Sequence, residues 1–427
     1  LRAKIQQLLY TIRGSYWFLP ALMALTAIIA SQFFVWLDRV YGDDWLRDFW
    51  WASLNQPDGA RSLLATVAGS MITVTGVTFS LTILAVSYAT SHFGPRLLDN
   101  FMRDRGNQIT LGVFVATFLY CLLVLRSVRT GQTSDNALET EVFVPQLAIT
   151  IAIALTLASV GVLIFFIHHI PESISITHVL NGITEMIDAK TDDFFPERIG
   201  STKSQPIVSE PDWGNGVEVN CRTQGYLQGV DAKSLMKFAV ENELVVNLKV
   251  RPGDHLLENQ VIAIVCQAVT KPTEQTPDAD FYVDHIHSTL AIGDSRTPTQ
   301  DIFFAINQFV EIAIRALSPG VNDPFTAIQC IDRLAQAMTR ISQRHLPSRF
   351  RVDDDDTLRI VAAQPNWDQI VHAAFGQLAP YAAADANVSR HLTGTIESLV
   401  SVSQSAELND SLRRFQATWQ VMVKKSA

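Results

Sequence analysis

The sequence predicts four α-helical membrane spans followed by a tail of α+β character, in which a small β module precedes a mainly helical C-terminal part. Three observations carry this reading. Ser62 to Ser91 is a run of thirty residues without one Asp, Glu, Lys, Arg or His. Three further apolar runs of spanning length fall before residue 170. Beyond residue 213 the pattern changes, with apolar residues at alternate positions first and at helical spacing later. The 427 residues accordingly divide into a membrane domain (1–170), an exit helix and linker (171–212), a β module (213–296) and a helical domain (297–427).

The first span is expected over residues 16–37, preceded by Arg2, Lys4 and Arg13, anchored by Tyr16, Trp17 and Trp36, and ended by Asp38. The following loop, with Trp45, Trp50 and Trp51 among acids, suits a short helix lying in the interface. The second span, Ser62 to Ser91, reaches ~45 Å as a helix against ~30 Å of hydrocarbon, so it tilts or projects. Hydroxyls at Thr66, Ser70, Thr73, Ser80 and Ser87 share one side, while Ala65, Gly69 and Thr73, and again Gly76 and Ser80, stand four apart. Such spacing lets helix backbones approach closely. Two readings are open: the hydroxyls return to their own backbone in a packed bundle, or they line a hydrated path. Gly94 and Pro95 end this helix, and His92 and Arg96 stand near its inner mouth. Third and fourth spans are expected over 109–125 and 145–166.

At the membrane exit, His168 and Glu172 are four apart with His169 beside them and Pro171 between. These are read as interfacial histidines at a kink, the alternative being a metal site. Ile174 to Met186 is amphipathic, and residues 190–212, with Pro196, Pro206 and Pro211, form a linker.

In the tail, GVEVNCRTQGYLQGVD alternates like a strand pair, DAKSLMKFAVEN reads as a helix, ELVVNLKV alternates again, RPGD is a turn and VIAIV a buried strand. Asp284, His285 and His287 are expected on an ordinary polar strand or loop, where the two imidazoles would share a face, the alternative being a transition-metal site. The run from Thr299, taken as N-cap, to Leu317 is helical and stops at SPGVNDPFTA. There Asp323 caps the next helix, Pro324 takes its first position and Gly320 supplies a left-handed residue; Arg315, Asn322 and Asp323 are the tail motif with a possible further role. Asp353 to Asp356 form a hairpin tip, and three helices follow, roughly 366–384, 387–404 and 408–424.

Composition narrows the function. The net charge of −9 and the lack of a Lys/Arg run exclude a nucleic-acid partner. The four cysteines, Cys121, Cys221, Cys266 and Cys330, lie far apart without CxxC spacing, so no zinc site, cofactor or disulfide framework is expected. The first apolar run lacks a small-residue cleavage pattern, so no cleavable signal peptide is expected. No phosphate loop, HExxH or GxSxG is present, and the chain is read as a non-enzyme. An even number of spans, free tail cysteines and a slight Lys/Arg bias place both termini in the cytoplasm.

Two wider resemblances join these elements. Strand, helix, strand, turn and strand around Val250-Arg251-Pro252-Gly253-Asp254 resemble the barrel-sandwich fold of biotinyl and lipoyl domains and of membrane adaptors. The run from Val74 to Arg129, the GYLQGVD and VRPGD segments and RALSPGVNDPFTA resemble a bacterial family of predicted membrane proteins carrying a domain of unknown function. That resemblance covers nearly the whole chain and implies four spans and a cytoplasmic tail, without an activity. The expected function is a homo-oligomeric, channel-like protein of the bacterial inner membrane, contacting lipid and passing an ion. The alternative is a membrane-anchored scaffold or sensor whose tail binds a protein or small ligand.

Overall fold

The computed structural model describes residues 15–41, 56–94, 104–129, 142–194, 210–267, 279–344, 346 and 348–426. These group into two compact units, one within 10–91 and 95–178, the other within 179–427 together with 92–94. The loop tryptophans Trp45, Trp50 and Trp51, most of the linker, and Arg96 lie outside the described residues.

The first unit contains four helices long and apolar enough to cross a membrane: α1 (Phe18–Tyr41), α2 (Pro57–Phe93), α3 (Arg105–Ser127) and α4 (Gln146–Ser173). Each runs beyond its expected limits. α1 continues through Asp38 and Arg39, and α4 passes Pro171 without ending there, so ionisable residues do enter these helices near their ends. Large apolar side chains such as Leu25, Ile29, Phe33, Val77, Leu84, Leu157 and Ile164 face outward, as a lipid-facing shell requires. Trp17 and Trp36 are likewise exposed, in keeping with interfacial anchoring.

The backbones of α1, α3 and α4 approach closely, whereas α2 stands further from its neighbours. A close approach uses Gly112 of α3: a Cβ there would lie 3.3 Å from the Pro20 Cα of α1 and nearer still to the Met23 sulfur. Elsewhere in these helices Phe114, Tyr120, Cys121, Val124, Ile149 and Ala152 are fully buried, the last five in one apolar cluster with Val35 and Leu64. Thr117 Oγ1 and Ser159 Oγ are 3.0 Å apart, and Tyr120 donates to the Ala148 carbonyl at 3.1 Å, joining α3 to α4 with polar pairs inside an apolar shell.

The chain enters the second unit within α5 (Ile176–Phe194). Leu180, Ile183 and Ile187 are buried at helical spacing, as amphipathicity in this stretch predicts. β1 (Val217–Asn220), β2 (Gly225–Val230), α6 (Ala232–Glu241), β3 (Leu244–Leu248), β4 (His255–Leu256), β5 (Val261–Gln267), α7 (Ala279–Thr289) and β6 (Leu290–Gly293) build the β module. α8 (Ile302–Ala316) and α9 (Pro324–Ser342) follow, and then β7 (Phe350–Val352) and β8 (Leu358–Val361). α5 meets α9 through Arg333–Asn181 at 2.6 Å and Arg340–Asp188 at 2.7 Å.

Two sheets result, ordered β1-β5-β3-β8-β7 and β4-β2-β6. β1 and β2, expected as a pair, therefore belong to different sheets. β3 is buried at every position instead of alternating, because Leu244, Val246 and Leu248 enter the main core while Val245 packs with Leu358 and Val361 on the other face. The hairpin β7–β8 returns from the helical region to lie parallel to β3, through Val246–Ile360 and Asn247–Val361.

The stretch 366–384 is not one helix. It comprises α10 (Trp367–Val371), a π-turn over His372–Gly376 and a short α11 (Ala379–Ala382), with Pro380 removing a backbone donor and Gly376 lowering the local helical preference. α12 (Ala386–Val402) and α13 (Ala406–Ser426) complete the unit and pack through the buried Trp419, whose indole donates to Thr393 Oγ1 at 3.0 Å.

Candidate functional site

α2 carries two seams on opposite sides. Leu64, Ala68, Met71, Thr75, Thr78, Thr82, Ala85 and Ala89 recur at alternating steps of four and three, and all are buried against the unit. Ser62, Thr66, Gly69, Thr73, Gly76, Ser80, Ile83 and Ser87 repeat the same steps half a turn away, and all are exposed. A period of 3.5 residues is what two helices need to keep a seam in register along a left-handed crossing. Small residues normally mark close helix contacts, yet among the described residues nothing lies within 4 Å of a Cβ placed on Gly69 or Gly76. Ser70 sits beside this second seam and is also exposed.

The hydroxyls have a defined orientation. Thr66 donates to the Ser62 carbonyl at 2.7 Å, Ser70 to Thr66 at 2.7 Å, Thr73 to Gly69 at 2.9 Å and Ser80 to Gly76 at 2.9 Å. The buried Thr75, Thr78 and Thr82 do the same at 2.6, 2.9 and 2.9 Å. Each proton is thus turned back onto the helix, and the oxygen lone pairs remain on the outward side. The exposed seam is a column of hydrogen-bond acceptors without formal charge. His92 stands in the last turn of the same helix.

The tail motif is a helix junction. α8 ends with Ser318 N–H and Oγ both donating to the Arg315 carbonyl, at 3.0 and 2.6 Å, and Asp323 N–H reaches the Ala316 carbonyl at 2.7 Å. Asp323 Oδ1 and Oδ2 then accept from Thr326 N–H and Oγ1, at 3.1 and 2.6 Å, with Pro324 in the first turn of α9. The left-handed residue is Asn322 (φ 50°) and not Gly320. Asparagine tolerates that conformation because its short polar side chain can bond locally. Asp323→Ala should therefore cost the tail about 1–2 kcal/mol, read as an earlier denaturation midpoint by tryptophan fluorescence, with Asp323→Ser retaining most of the stability.

Other expected sites resolve into structural partners. Asp284, His285 and His287 lie on the helix α7, not a strand, because Tyr282, Ile286 and Thr289 are its buried positions at steps of four and three. Asp284 pairs with Arg222, His285 Nδ1 contacts the Phe281 carbonyl at 2.9 Å, and His287 Nε2 the Asn220 carbonyl at 3.0 Å. α8 is capped by Asp301, two residues beyond Thr299, with Oδ1 accepting from Phe304 N–H at 3.2 Å. Asp353 closes the acidic hairpin by accepting from the Asp355 and Thr357 N–H groups and from Arg359 Nε at 2.7 Å. Among the described residues no three His, Cys, Asp or Glu side chains are grouped to hold a metal.

Two polar clusters in the membrane unit escape a reading of sequence alone. Asp38 is buried at the end of α1, and its oxygens accept from Leu147 N–H at 3.1 Å and Ala148 N–H at 3.0 Å, in the first turn of α4. The signal for it is the N-cap of α4, Pro145, which has no side-chain acceptor for those orphan donors. At the opposite end of α4, His169 Nε2 is 2.7 Å from Asp104 Oδ2, while Asp104 Oδ1 caps α3 through Gly106 N–H at 2.7 Å. His168 and Glu172, by contrast, are exposed and 3.9 Å apart. Gly106→Ala should displace His169, because a Cβ there would lie 2.6 Å from its Nε2. Loss of the His169–Asp104 contact, read as a change in the His169 ring chemical shifts at fixed pH, checks this.

Comparison with known proteins agrees with this architecture. Residues 13–398 match the family model described as "Predicted membrane protein (DUF2254)". Over 352 residues the chain is 32% identical to Uncharacterized protein Rv1290c of Mycobacterium tuberculosis (strain H37Rv) and to Uncharacterized protein Mb1321c of Mycobacterium bovis. These alignments take in 82% of this chain but 64% of each relative, so the chain spans less than two thirds of their length. No solved structure matches. With four helices of spanning length followed by a mixed-sheet and helical region, and a family match over most of its length, the chain belongs to the DUF2254 family of predicted membrane proteins.

Proposed function

We propose that this protein is a homo-oligomeric, channel-like protein of the bacterial inner membrane, with the exposed seam of α2 at the subunit contact and along the conduction path. The observation that carries the reading is the pairing of close-packing residues with open space. Gly69 and Gly76 sit in a column of Ser and Thr that none of the described residues covers. A second copy of α2 supplies the missing backbone neighbour, and a ring of copies encloses the acceptor column. Outward lone pairs favour a partly dehydrated cation over an anion, in the manner of oxygen-lined filters. Both termini and the tail are assigned to the cytoplasm, the tail as vestibule or gate, and no catalytic role is assigned.

Cysteine cross-linking tests the contact. The native cysteines are all buried, and burial pushes the Cys266 and Cys330 thiols up, so thiols introduced on the exposed seam should react selectively. Gly69→Cys and Ser80→Cys should form disulfide-linked dimers in membranes, and Ile164→Cys, on the exposed apolar face of α4, much less. Equal linking at all three positions would count against a defined seam.

A further inference from the structure

The tail contains a cavity of about 580 Å³ between the β module and the start of α8, within one compact unit. Its wall is largely apolar, from Leu235 and Met236 of α6, Leu248 of β3, Val250 and Ile360 of β8. Both the size and the lining suit a small organic ligand, for which pockets run ~300–1,000 Å³.

One charged group in that wall lacks a counter-charge. Arg351 of β7 lines the cavity, donates from Nη1 to the Ser348 carbonyl, and has no carboxylate within ion-pair distance among the described residues. Arg351 is half-buried, and this burial lowers its pKa. The neighbouring charges are already engaged. Asp301 accepts from Arg296 Nε at 2.8 Å and from Phe304 N–H, while Arg251 lies 3.7 Å from Asp254 and 4.6 Å over the Phe303 ring. The VRPGD turn fixes this rim. Gly253 (φ 97°) is required there, because a Cβ would lie 2.6 Å from Asp301 Cγ.

A guanidinium in an apolar wall is costly unless an anion completes it, and a carboxylate matches its paired donors. We propose that this cavity binds a small amphipathic carboxylate, with the apolar part against Met236, Leu248 and Ile360 and the head on Arg351. This site does not depend on the pore reading, and either can fail alone.

Octanoate binding to the full chain tests it, in nanodiscs of zwitterionic lipid, by calorimetry and by the shift of a ¹³C-labelled carboxyl. Octanoate should bind saturably. Octan-1-ol, with the same chain and no charge, should bind at least about tenfold more weakly, as loss of one charge-assisted pair implies. Arg351→Gln should weaken octanoate similarly, Arg351→Lys less, and Met236→Trp should block the cavity, with circular dichroism unchanged in each. Discs containing an anionic lipid separate two sources of the head group: competition with octanoate identifies lipid as an occupant, and its absence a free carboxylate. No saturable binding, or binding unaltered by both Arg351→Gln and Met236→Trp, would overturn the assignment.

Discussion

Gly76→Leu is expected to separate the subunits while leaving each one folded. Among the described residues nothing lies within 4 Å of a Cβ placed on Gly76, so the added side chain meets open space and the unit's buried seam is undisturbed. In an assembly the same side chain falls where two α2 backbones meet. Close helix packing in lipid rests on small residues and on weak interhelical polar contacts of ~0.6–2 kcal/mol each, and one leucine holds several of them apart. Since every interface of a closed ring carries the change, its effect multiplies with subunit number. Mass measured in nanodiscs or detergent should fall to that of one or two chains, with any reconstituted current lost. An unchanged mass and current would remove α2 from the interface.

Asp38→Leu should give the largest loss of stability in the membrane unit. The carboxylate accepts two N–H groups from the first turn of α4, whose N-cap is a proline without an acceptor of its own. Its removal strands buried donors, Ala148 N–H among them, and takes a negative charge from a helix N-terminus. Together these are worth about 2–4 kcal/mol, a shift of several degrees in thermal unfolding. Asp38→Asn keeps one acceptor and should recover about half. If Asp38→Leu unfolds at the same temperature as the native chain, the contact is not stabilising.

The spans were legible because hydrocarbon imposes a length and a composition that no other segment meets. Asp323 was legible as a cap for a similar reason: the donors of a helix N-terminus and the acceptor that serves them lie within three residues. Asp38 was not, since its partners are 109 and 110 residues away and its own neighbours reveal nothing of them. Local pattern also misplaced the two histidines of α7. Phe281, Val283, His285 and His287 alternate with Tyr282, Asp284 and Ile286 and mimic a strand, but the core selected Tyr282, Ile286 and Thr289, which only a helix aligns.

Within the candidate site, the hydroxyl column was readable from spacing, and its polarity was not. Serine and threonine can donate or accept, and only the backbone geometry of α2 shows each proton returned to the preceding turn. Gly112 shows the converse limit. It forms the close contact between α1 and α3, although its sequence surroundings are less suggestive than those of Gly69 and Gly76. Which glycine packs against a neighbouring helix of the same chain and which stays open is a property of the tertiary arrangement.

The most direct test of the central claim is a cryo-EM map of the full chain in lipid nanodiscs, asking what faces Thr66, Thr73 and Ser80. The account predicts a symmetric assembly in which these residues from neighbouring copies surround a continuous hydrated path, with Gly69 and Gly76 at the closest α2 contacts. A particle in which the same face of α2 meets only lipid, or in which α2 lies away from every subunit contact, would contradict it.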